Sequence, residues 1–305
     1  MEFLVAGFEI IEQESGLEGI FKQAELPGRI CYGSQDKMAP GTAEKFVNGL
    51  MKSNHGAPLE HGSVYLKADD EYHGNPLDKY RDNPYSKLRS VNGTKYVSTN
   101  LRVLFENGWL KDLEDYLCEP TEFHEKRYTV RFTVDRFTGE EFLRHRKASF
   151  NRESTRYVAF TKEKFGGGSI KYIIPPWILD DKSRIEGYAE QDIDFYIDTM
   201  REYLQTKQPL DDIFAWTFAL KSAEWSYCYL VNECGWKAEQ ARTVLPCAIN
   251  SPLIKTAFLS DWKNFFNLRA KGTTGKPHPQ ALELAVPLMN EFINRGYLEP
   301  SFIDE

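Results

Sequence analysis

The stretch RYTVRFTVDRFTGEEFLRHRKASFNRESTRY, residues 127–157, says most about the fold of this 305-residue chain. Its first part carries apolar side chains at every second position, namely Tyr128, Val130, Phe132 and Val134. Because side chains alternate between the two faces of a strand, this pattern predicts a half-buried strand over residues 127–136. Thr138-Gly139-Glu140-Glu141 then matches a capping box. We therefore expect a helix to open at Thr138 and to run into Arg144-His145-Arg146.

The second part of the stretch is rich in positive charge. Five cations fall between Arg144 and Arg156, and Ser154 adds a hydroxyl group. Guanidinium groups match the geometry of phosphates and carboxylates, so the cluster suggests an anion site. A solvated basic helix end that complements the helix dipole is the open alternative. Residues 126–156 hold nine basic and four acidic side chains in a chain of net charge −7, which favours a local anion site over a long polyanion track.

Composition places the chain among ordinary globular proteins. The hydrophobic fraction is 41% and the charged fraction 27%, which excludes a disordered or collagen-like chain. No run approaches eighteen apolar residues, so no transmembrane helix is expected. Residues 1–11 lack a basic start and predict a first strand rather than a signal peptide. The five cysteines are scattered without a C-x-x-C, which favours reduced thiols, a cytoplasmic location and no structural zinc.

Periodicity over the rest of the chain predicts early strands and late helices. Asn92-Gly93 is a hairpin signal inside residues 85–97, and residues 64–67 form a short strand. Helices are predicted at 42–53, 100–117, 185–204, 211–234, 237–243, 256–269 and 281–294. Strands followed by a helical back layer indicate an α/β (α+β) fold.

A few other residues could carry chemistry. Arg269 falls on the apolar face of the helix predicted at 256–269, where an unpaired charge would be costly, and Arg242 also sits between apolar neighbours. For Arg269, a protein carboxylate partner or snorkelling at the helix end is the open alternative. His55 and His61 flank a proline without a third ligand nearby, so no metal site is expected. Cys247 follows a proline, but a lone cysteine is usually inert packing.

Four segments together resemble a known family. Arg144-His145-Arg146, with seven residues before Ser154, resembles the R-H-R-x7-S signature of the flavin-dependent thymidylate synthases, a specific motif. The other segments follow in the same order: 55–61 resembles H-x-S-P-x-E-H, 239–246 resembles E-x-A-R-x-V-L-P, and 264–269 resembles N-F-L-x-L-R. The spacing of 27 residues between Arg242 and Arg269 also fits, and Gln280 and Glu283 loosely match the segment that follows.

The resemblance implies a fold and an activity. The expected fold is the family-specific thymidylate synthase-complementing fold over residues 1–305, a central, twisted, largely antiparallel sheet with a helical layer. The family forms homotetramers with active sites between subunits. It methylates dUMP at C5, with 5,10-methylenetetrahydrofolate as carbon donor, reduced FAD as hydride donor and NADPH as reductant of the flavin. No enzyme nucleophile attacks the pyrimidine, and neither nucleic acid nor membrane is an expected partner.

The resemblance also implies site residues. Arg269 would be the catalytic residue, stabilising the N3-deprotonated uracil. The expected FAD contacts are Arg144, His145, Arg146, Asn264, Ala57 and His55. The expected dUMP contacts are Glu141, Arg144, Ser154, Arg156, Arg242 and Arg269. Glu141 has a competing role as the capping partner of Thr138.

The chain departs from the family at several positions. Ala57 replaces a hydroxyl residue, so any FAD contact there would be through the backbone. Arg152 replaces a Glu or Gln, and Phe258 replaces a polar residue, which leaves their contacts open. Residues 68–122 form an insertion between segments that shorter members join directly; it could cover the site or extend an oligomer interface.

Two other functions are compatible with parts of the sequence. A nucleotide- or RNA-binding module built on residues 126–156 would bind polyanions with a steep salt dependence and without turnover. A cysteine-dependent methylase would use Cys247 to attack the pyrimidine and would form a covalent adduct.

Overall fold

The computed structural model describes residues 1–70, 74–156, 160–161 and 169–304. Within these residues the strands form three sheets, of four, three and two strands. The strands are β1 Glu2–Val5, β2 Gly7–Ile11, β3 Ser63–Asp69, β4 Lys87–Val91, β5 Thr94–Asn100, β6 Arg127–Thr133, β7 Ser149–Arg152, β8 Lys171–Ile174 and β9 Leu253–Phe258. The expected strand over residues 1–11 is thus two strands, β1 and β2, which lie in different sheets.

The helices of the described residues pack around these sheets. They are α1 Gly16–Cys31, α2 Thr42–Lys52, α3 Leu101–Asn107, α4 Asp112–Asp115, α5 Arg136–Leu143, α6 Lys182–Ala189, α7 Ile193–Thr206, α8 Asp212–Asn232, α9 Ala238–Ala241, α10 Leu259–Phe266 and α11 Pro279–Asn294. The predicted mixed α/β class, with a largely antiparallel central sheet and a helical layer, is confirmed. None of the helices in the described ranges combines the length and the hydropathy needed to cross a bilayer.

The four-stranded sheet is the centre of the molecule. Its order is β2-β6-β9-β7, and every neighbouring pair is antiparallel. All six residues of β9 are buried. On one face the sheet packs against α5, α10 and α11, and Phe132, Trp262, Phe265 and Phe292 form an aromatic core there with almost no exposed surface. Helix α1 and the 3-10 turn Ala57–His61 contact the sheet as well.

Two predictions about the central sheet are wrong in detail. The strand β6 is less amphipathic than its alternation suggested, because Arg127 and Thr129 are buried along with Val130 and Phe132. The helix predicted at 256–269 begins only at Leu259, since Thr256, Ala257 and Phe258 continue β9. A continuous apolar run at a sheet centre has no period that separates a strand from a helix.

The insertion at 68–122 supplies most of the three-stranded sheet, whose order is β3-β5-β4. The predicted hairpin is confirmed: Asn92 and Gly93 join β4 to β5 with φ of 50° and 78°, the left-handed values that a tight hairpin turn needs. The helix predicted at 100–117 is wrong as a single element. It is divided into α3 and α4 because Gly108, at φ 72°, ends the first helix in a left-handed cap.

The third sheet pairs β1 with β8 in parallel and packs against α8. The helix predicted at 185–204 is also two helices, since the Asp192 side chain caps α7 and separates it from α6. The predicted helix at 211–234 is confirmed, and Gly235 at φ 70° follows it. However, α8 is not buried all round, because Trp225 and Tyr229 are 49% and 47% exposed.

Candidate active site

The central element of the site is a contact between the end of α5 and the turn after α10. Residues Asn267–Lys271 form one π-helical turn, a geometry that is frequent at functional sites, and Arg269 projects from it. Arg269 Nη1 donates to Glu141 Oε2 at 2.7 Å, and Nη2 donates to the Glu141 carbonyl oxygen at 3.1 Å. Arg269 Nε donates to His145 Nε2 at 3.3 Å. Three residues that the sequence linked only through a resemblance therefore meet in space.

Helix α5 orients these groups through a cap that the sequence did not predict. Asp135 is the N-cap: its carboxylate accepts hydrogen bonds from the backbone N–H groups of Phe137 and Thr138 and from the Thr138 hydroxyl. The predicted capping box of Thr138 and Glu141 is therefore wrong, since Thr138 lies inside the helix. Glu141, freed from any capping role, pairs with Arg269 instead.

The electrostatics keep His145 neutral. Burial, with smaller contributions from the charges of Lys255 and Arg269, lowers the pKa of His145 to about 3. A neutral imidazole can accept the Arg269 Nε–H bond at Nε2 while its other nitrogen carries the proton. The edge-on packing of the ring against Phe265, at 5.0 Å between centroids, fixes its orientation.

An open cavity adjoins this contact. Its volume is about 320 Å³, and its lining comprises Phe137, Thr138, Glu140, Glu141, Arg144, His278 and Gln280. The Arg144 side chain is exposed and makes no hydrogen bond or ion pair within the described residues. Because the lining carboxylates Glu140 and Glu141 are paired with Arg152 and Arg269, Arg144 is the unpaired charge of this described lining and suits an anionic, hydrogen-bonding ligand.

Two acidic side chains, buried Asp135 and half-buried Glu283, lie near the cavity residue Gln280. Gln280 Nε2 donates to Asp135 Oδ2 at 2.9 Å, so α11 is joined to the cap of α5. Glu283, one turn further along α11, has a buried Oε1 without a hydrogen-bond partner in the described chain. Burial, with a smaller contribution from the Asp135 charge, raises the pKa of Glu283 to about 7. In the sequence, Gln280 and Glu283 match the family pattern only loosely.

Lys255 is a residue that the sequence did not single out. It lies in β9 with no exposed surface, and its Nζ sits 4.0 Å from the Trp262 ring centroid and 3.9 Å from that of Phe265. Its Nζ has no hydrogen-bond partner among the described residues. Burial lowers the pKa of Lys255 well below its usual value; Asp261 opposes this shift and Arg269 adds to it. The signal in the sequence is a single lysine within the otherwise uncharged run 253–258, for which the sequence analysis predicted no strand.

The other predicted ligands form a second group at the end of β7. Arg242 Nη1 donates to Thr155 Oγ1 at 3.3 Å, and Arg156 donates to Glu239 at 3.3 and 3.4 Å. The backbone N–H of Ser154 donates to the Cys31 carbonyl oxygen. The bonds of Arg242 and Arg156 are thus made with Thr155 and Glu239, whereas those of Arg269 are made with Glu141 and His145.

The remaining predicted flavin contacts are solvent-exposed. His55 and Ala57 lie at the turn before β3, where the Tyr32 hydroxyl is 3.4 Å from His55 Nδ1. Asn264 lies on the exposed side of α10, and Arg146 is exposed in the loop after α5. Of these four residues, Arg146 lines two cavities beside β4 and β5, whereas His55, Ala57 and Asn264 lie on the surface of the described structure.

The departures from the family pattern have structural explanations. Arg152 Nη1 donates to Glu140 at 2.8 Å, so this cation is paired on the protein surface. Phe258 is 6% exposed at the end of β9, with the guanidinium of Arg127 5.5 Å from its ring centroid. The basic segment 126–156 is therefore not a continuous cationic surface, which weakens the RNA-binding alternative.

Comparison with protein families gives the assignment. The family model described as thymidylate synthase complementing protein matches residues 96–293. The chain belongs to this family. Its members are the flavin-dependent thymidylate synthases, so the protein is a thymidylate synthase of the methyltransferase class. The match covers both partners of the contact between Glu141 and Arg269 and the whole central sheet except β2.

Solved structures provide two remote likenesses. A UMP/dUMP methylase, PolB from Streptomyces cacaoi, bound with 5-Br dUMP, is 18% identical with a TM-score of 0.39, over 97% of this chain and 92% of that one. The same enzyme bound with 5-Br UMP is 17% identical with a TM-score of 0.41, over 96% and 91%. Similarity this low adds nothing to the family assignment. No curated protein sequence matches the chain.

Proposed function

We propose that the protein is a flavin-dependent thymidylate synthase that converts dUMP to dTMP. In this reaction 5,10-methylenetetrahydrofolate gives its one-carbon unit to C5 of the pyrimidine, and NADPH supplies the two electrons that reduce it to a methyl group. The products are dTMP, tetrahydrofolate and NADP⁺. The observation that carries the proposal is the contact of Arg269 with Glu141 and neutral His145 beside a cavity lined by Arg144.

The residues fit a bound flavin dinucleotide. Arg144 and Arg146 are exposed guanidinium groups without carboxylate partners in the described ranges, and they flank a neutral imidazole. Such donors match a diphosphate, because guanidinium groups bind phosphate oxygens in pairs. Bound FAD would supply hydride transfer. The predicted contacts of Asn264, Ala57 and His55 would join these arginines.

Arg269 would act on the pyrimidine. When N3 of uracil loses its proton, negative charge spreads over the ring oxygens and enriches C5, the carbon that must be methylated. The Arg269 guanidinium, 19% exposed and already oriented by Glu141 and His145, would stabilise that charge at little reorganisation cost. Glu141 would share this guanidinium with the substrate and keep it in place.

We further propose that complete sites form between subunits of a homotetramer. Within one chain, Ser154, Arg156 and Arg242 bond partners around 154–156 and 239, whereas Arg269 bonds Glu141 and His145 beside the cavity that Arg144 lines, although the family pattern assigns all five to the same nucleotide. Association of chains would bring the two groups together. The chain would act as one domain over residues 1–305, with residues 68–122 as an insertion.

The test combines a spectrum with a turnover assay. The purified protein should take up FAD and form dTMP from dUMP, 5,10-methylenetetrahydrofolate and NADPH. Arg269→Ala should keep the flavin spectrum and lose turnover by about 10²–10³-fold, the usual cost of removing one preorganised electrostatic group. Arg201→Ala is the matched control, since Arg201 is an exposed arginine of α7 whose ion-pair partner among the described residues is Asp198. A protein that never binds FAD, or an Arg269→Ala variant with normal turnover, would overturn the proposal.

A further inference from the structure

The insertion and the loop between α5 and β7 enclose a cleft. Arg146 is the one predicted site residue among its described lining residues. Two adjoining cavities, of about 250 and 220 Å³, share Tyr85, Asn100, Arg146, Lys147 and Ser149 as walls. Strands β4 and β5 contribute one side, and the loop between α5 and β7 contributes the other. We call this space the insertion cleft.

The cleft carries an excess of unpaired positive charge. Arg146 and Lys147 are exposed, and neither has an ion-pair partner within the described residues. Lys87 lies 5.6 Å from the ring centroid of Phe258 in the cleft wall. Buried Arg127 also lines the cleft, and its Nε lacks an acceptor in the described chain.

The acidic side chains of the cleft do not cancel this charge. Glu60 and Glu106 both accept hydrogen bonds from Arg102, at 2.6 and 2.7 Å, so these three side chains together carry a net charge of −1. Asp261 is the remaining carboxylate among the described lining residues. Together with the Arg102 group it offsets two of the four positive charges of Lys87, Arg127, Arg146 and Lys147, so the described lining keeps a net charge of +2 and would attract an anion.

An aromatic side chain stands over the cationic wall. Tyr85 is 63% exposed although its backbone is held in place, because Asn83 Oδ1 accepts a hydrogen bond from the Tyr85 N–H at 2.9 Å. The neighbouring Ser86 hydroxyl is anchored to Thr99 at 2.8 Å. An exposed ring on a fixed backbone is a low-entropy stacking surface for a planar ligand.

We propose that the insertion cleft binds a ligand portion that joins an aromatic ring to an anionic group, with the ring against Tyr85 and the anion on Lys87, Arg146 and Lys147. Under the proposed function, on which the identity of the ligand rests, two sources have this chemistry. One is the adenosine diphosphate portion of a dinucleotide, and the other is the benzoylglutamate tail of the folate. The insertion would then be part of ligand binding rather than only an oligomer surface.

Direct binding of fragments tests the proposal without requiring turnover. ADP and 4-aminobenzoylglutamate are each titrated into the full-length protein by calorimetry, for the wild type and for Tyr85→Ala and Lys87→Ala. We expect one of the two fragments to bind and each substitution to weaken it by about tenfold, the effect of a lost stacking or charge contact. Binding of ADP identifies a dinucleotide source, and binding of 4-aminobenzoylglutamate identifies the folate.

Two control variants make the result specific. Arg89→Ala removes an equal charge from the same strand but lies outside both cavities, and it should bind the fragment like the wild type. Tyr85→Phe retains the ring and should also bind like the wild type. If neither fragment binds, or if the Tyr85 and Lys87 variants bind as the wild type does, the proposal is overturned. Uptake of FAD and formation of dTMP, measured on the same variants, report separately on the proposed function.

Discussion

Replacement of Lys255 by methionine should stabilise the protein. Lys255 is fully buried in the central sheet, and its Nζ has no hydrogen-bond partner among the described residues. The chain must therefore either bury an unpaired ammonium ion or give up its proton on folding, and both cost free energy. Methionine has a similar length and flexibility and fills the space between Trp262 and Phe265 without that cost.

The size of the gain follows from the environment of the amine. Replacement of buried charged groups by apolar side chains of similar volume has stabilised other proteins by about 1–4 kcal/mol. Contacts with the two rings, 4.0 and 3.9 Å from Nζ, would return about 0.5–2 kcal/mol to a protonated lysine. We therefore expect Lys255→Met to raise the free energy of unfolding at pH 7 by about 1–3 kcal/mol.

Lys255 should also make the free energy of unfolding depend on pH. Because the pKa of Lys255 is lowered in the folded state, the unfolded chain binds more protons below the ordinary lysine pKa of 10.5. Wild-type stability should therefore rise with pH relative to Lys255→Met, by up to about 1.4 kcal/mol per pH unit. Urea unfolding of both proteins at pH 7 and pH 9, at one fixed protein concentration, measures this difference. A difference in the free energy of unfolding between the two proteins that stays constant with pH, or a less stable methionine variant, would refute the reasoning.

Three further predictions concern other residues near the site. Asp135→Ala removes the cap of α5 and leaves Gln280 Nε2 unpaired, so urea unfolding should show a loss of about 2–4 kcal/mol; a loss below 0.5 kcal/mol would contradict the assigned cap. Glu283, with its pKa raised to about 7 from 4.5, keeps its proton longer in the folded state, so stability should fall as pH rises between these values. Glu283→Gln should remove that fall. If the free energy of unfolding changed equally with pH in the variant and the wild type over this range, the prediction would be wrong. Cys247→Ala should keep wild-type turnover in the dTMP assay, because no enzyme thiol is needed; an inactive, folded variant would favour the cysteine-dependent alternative.

The sequence predicted correctly those elements that are determined by interactions between residues close together in the chain. The Asn92-Gly93 hairpin and the helix at 42–53 are correct because turn residues and an amphipathic period decide them. The capping box failed because Asp135, three residues earlier, offers a carboxylate that satisfies the same backbone donors. Competition between two adjacent caps is settled by how α5 packs, which the sequence does not display.

The site was predictable only in part. The resemblance named Arg269, Glu141 and His145, and the structure brings them together. It did not indicate their mutual contact, because an ion pair across 128 residues depends on the tertiary fold. Lys255 was missed because it precedes the helix predicted at 256–269, in a segment where no strand was predicted, whereas it lies in β9, whose six residues are all buried.

The most direct test of the account is subunit complementation between Arg242→Ala and Arg269→Ala. Each variant alone should be nearly inactive in the dTMP assay. If the nucleotide is held by Arg242 of one chain and Arg269 of another, an equal mixture, dissociated and reassembled, should recover about a quarter of wild-type activity by random association. A reassembled mixture as inactive as either variant alone would contradict the proposal that the two arginine groups converge across subunits.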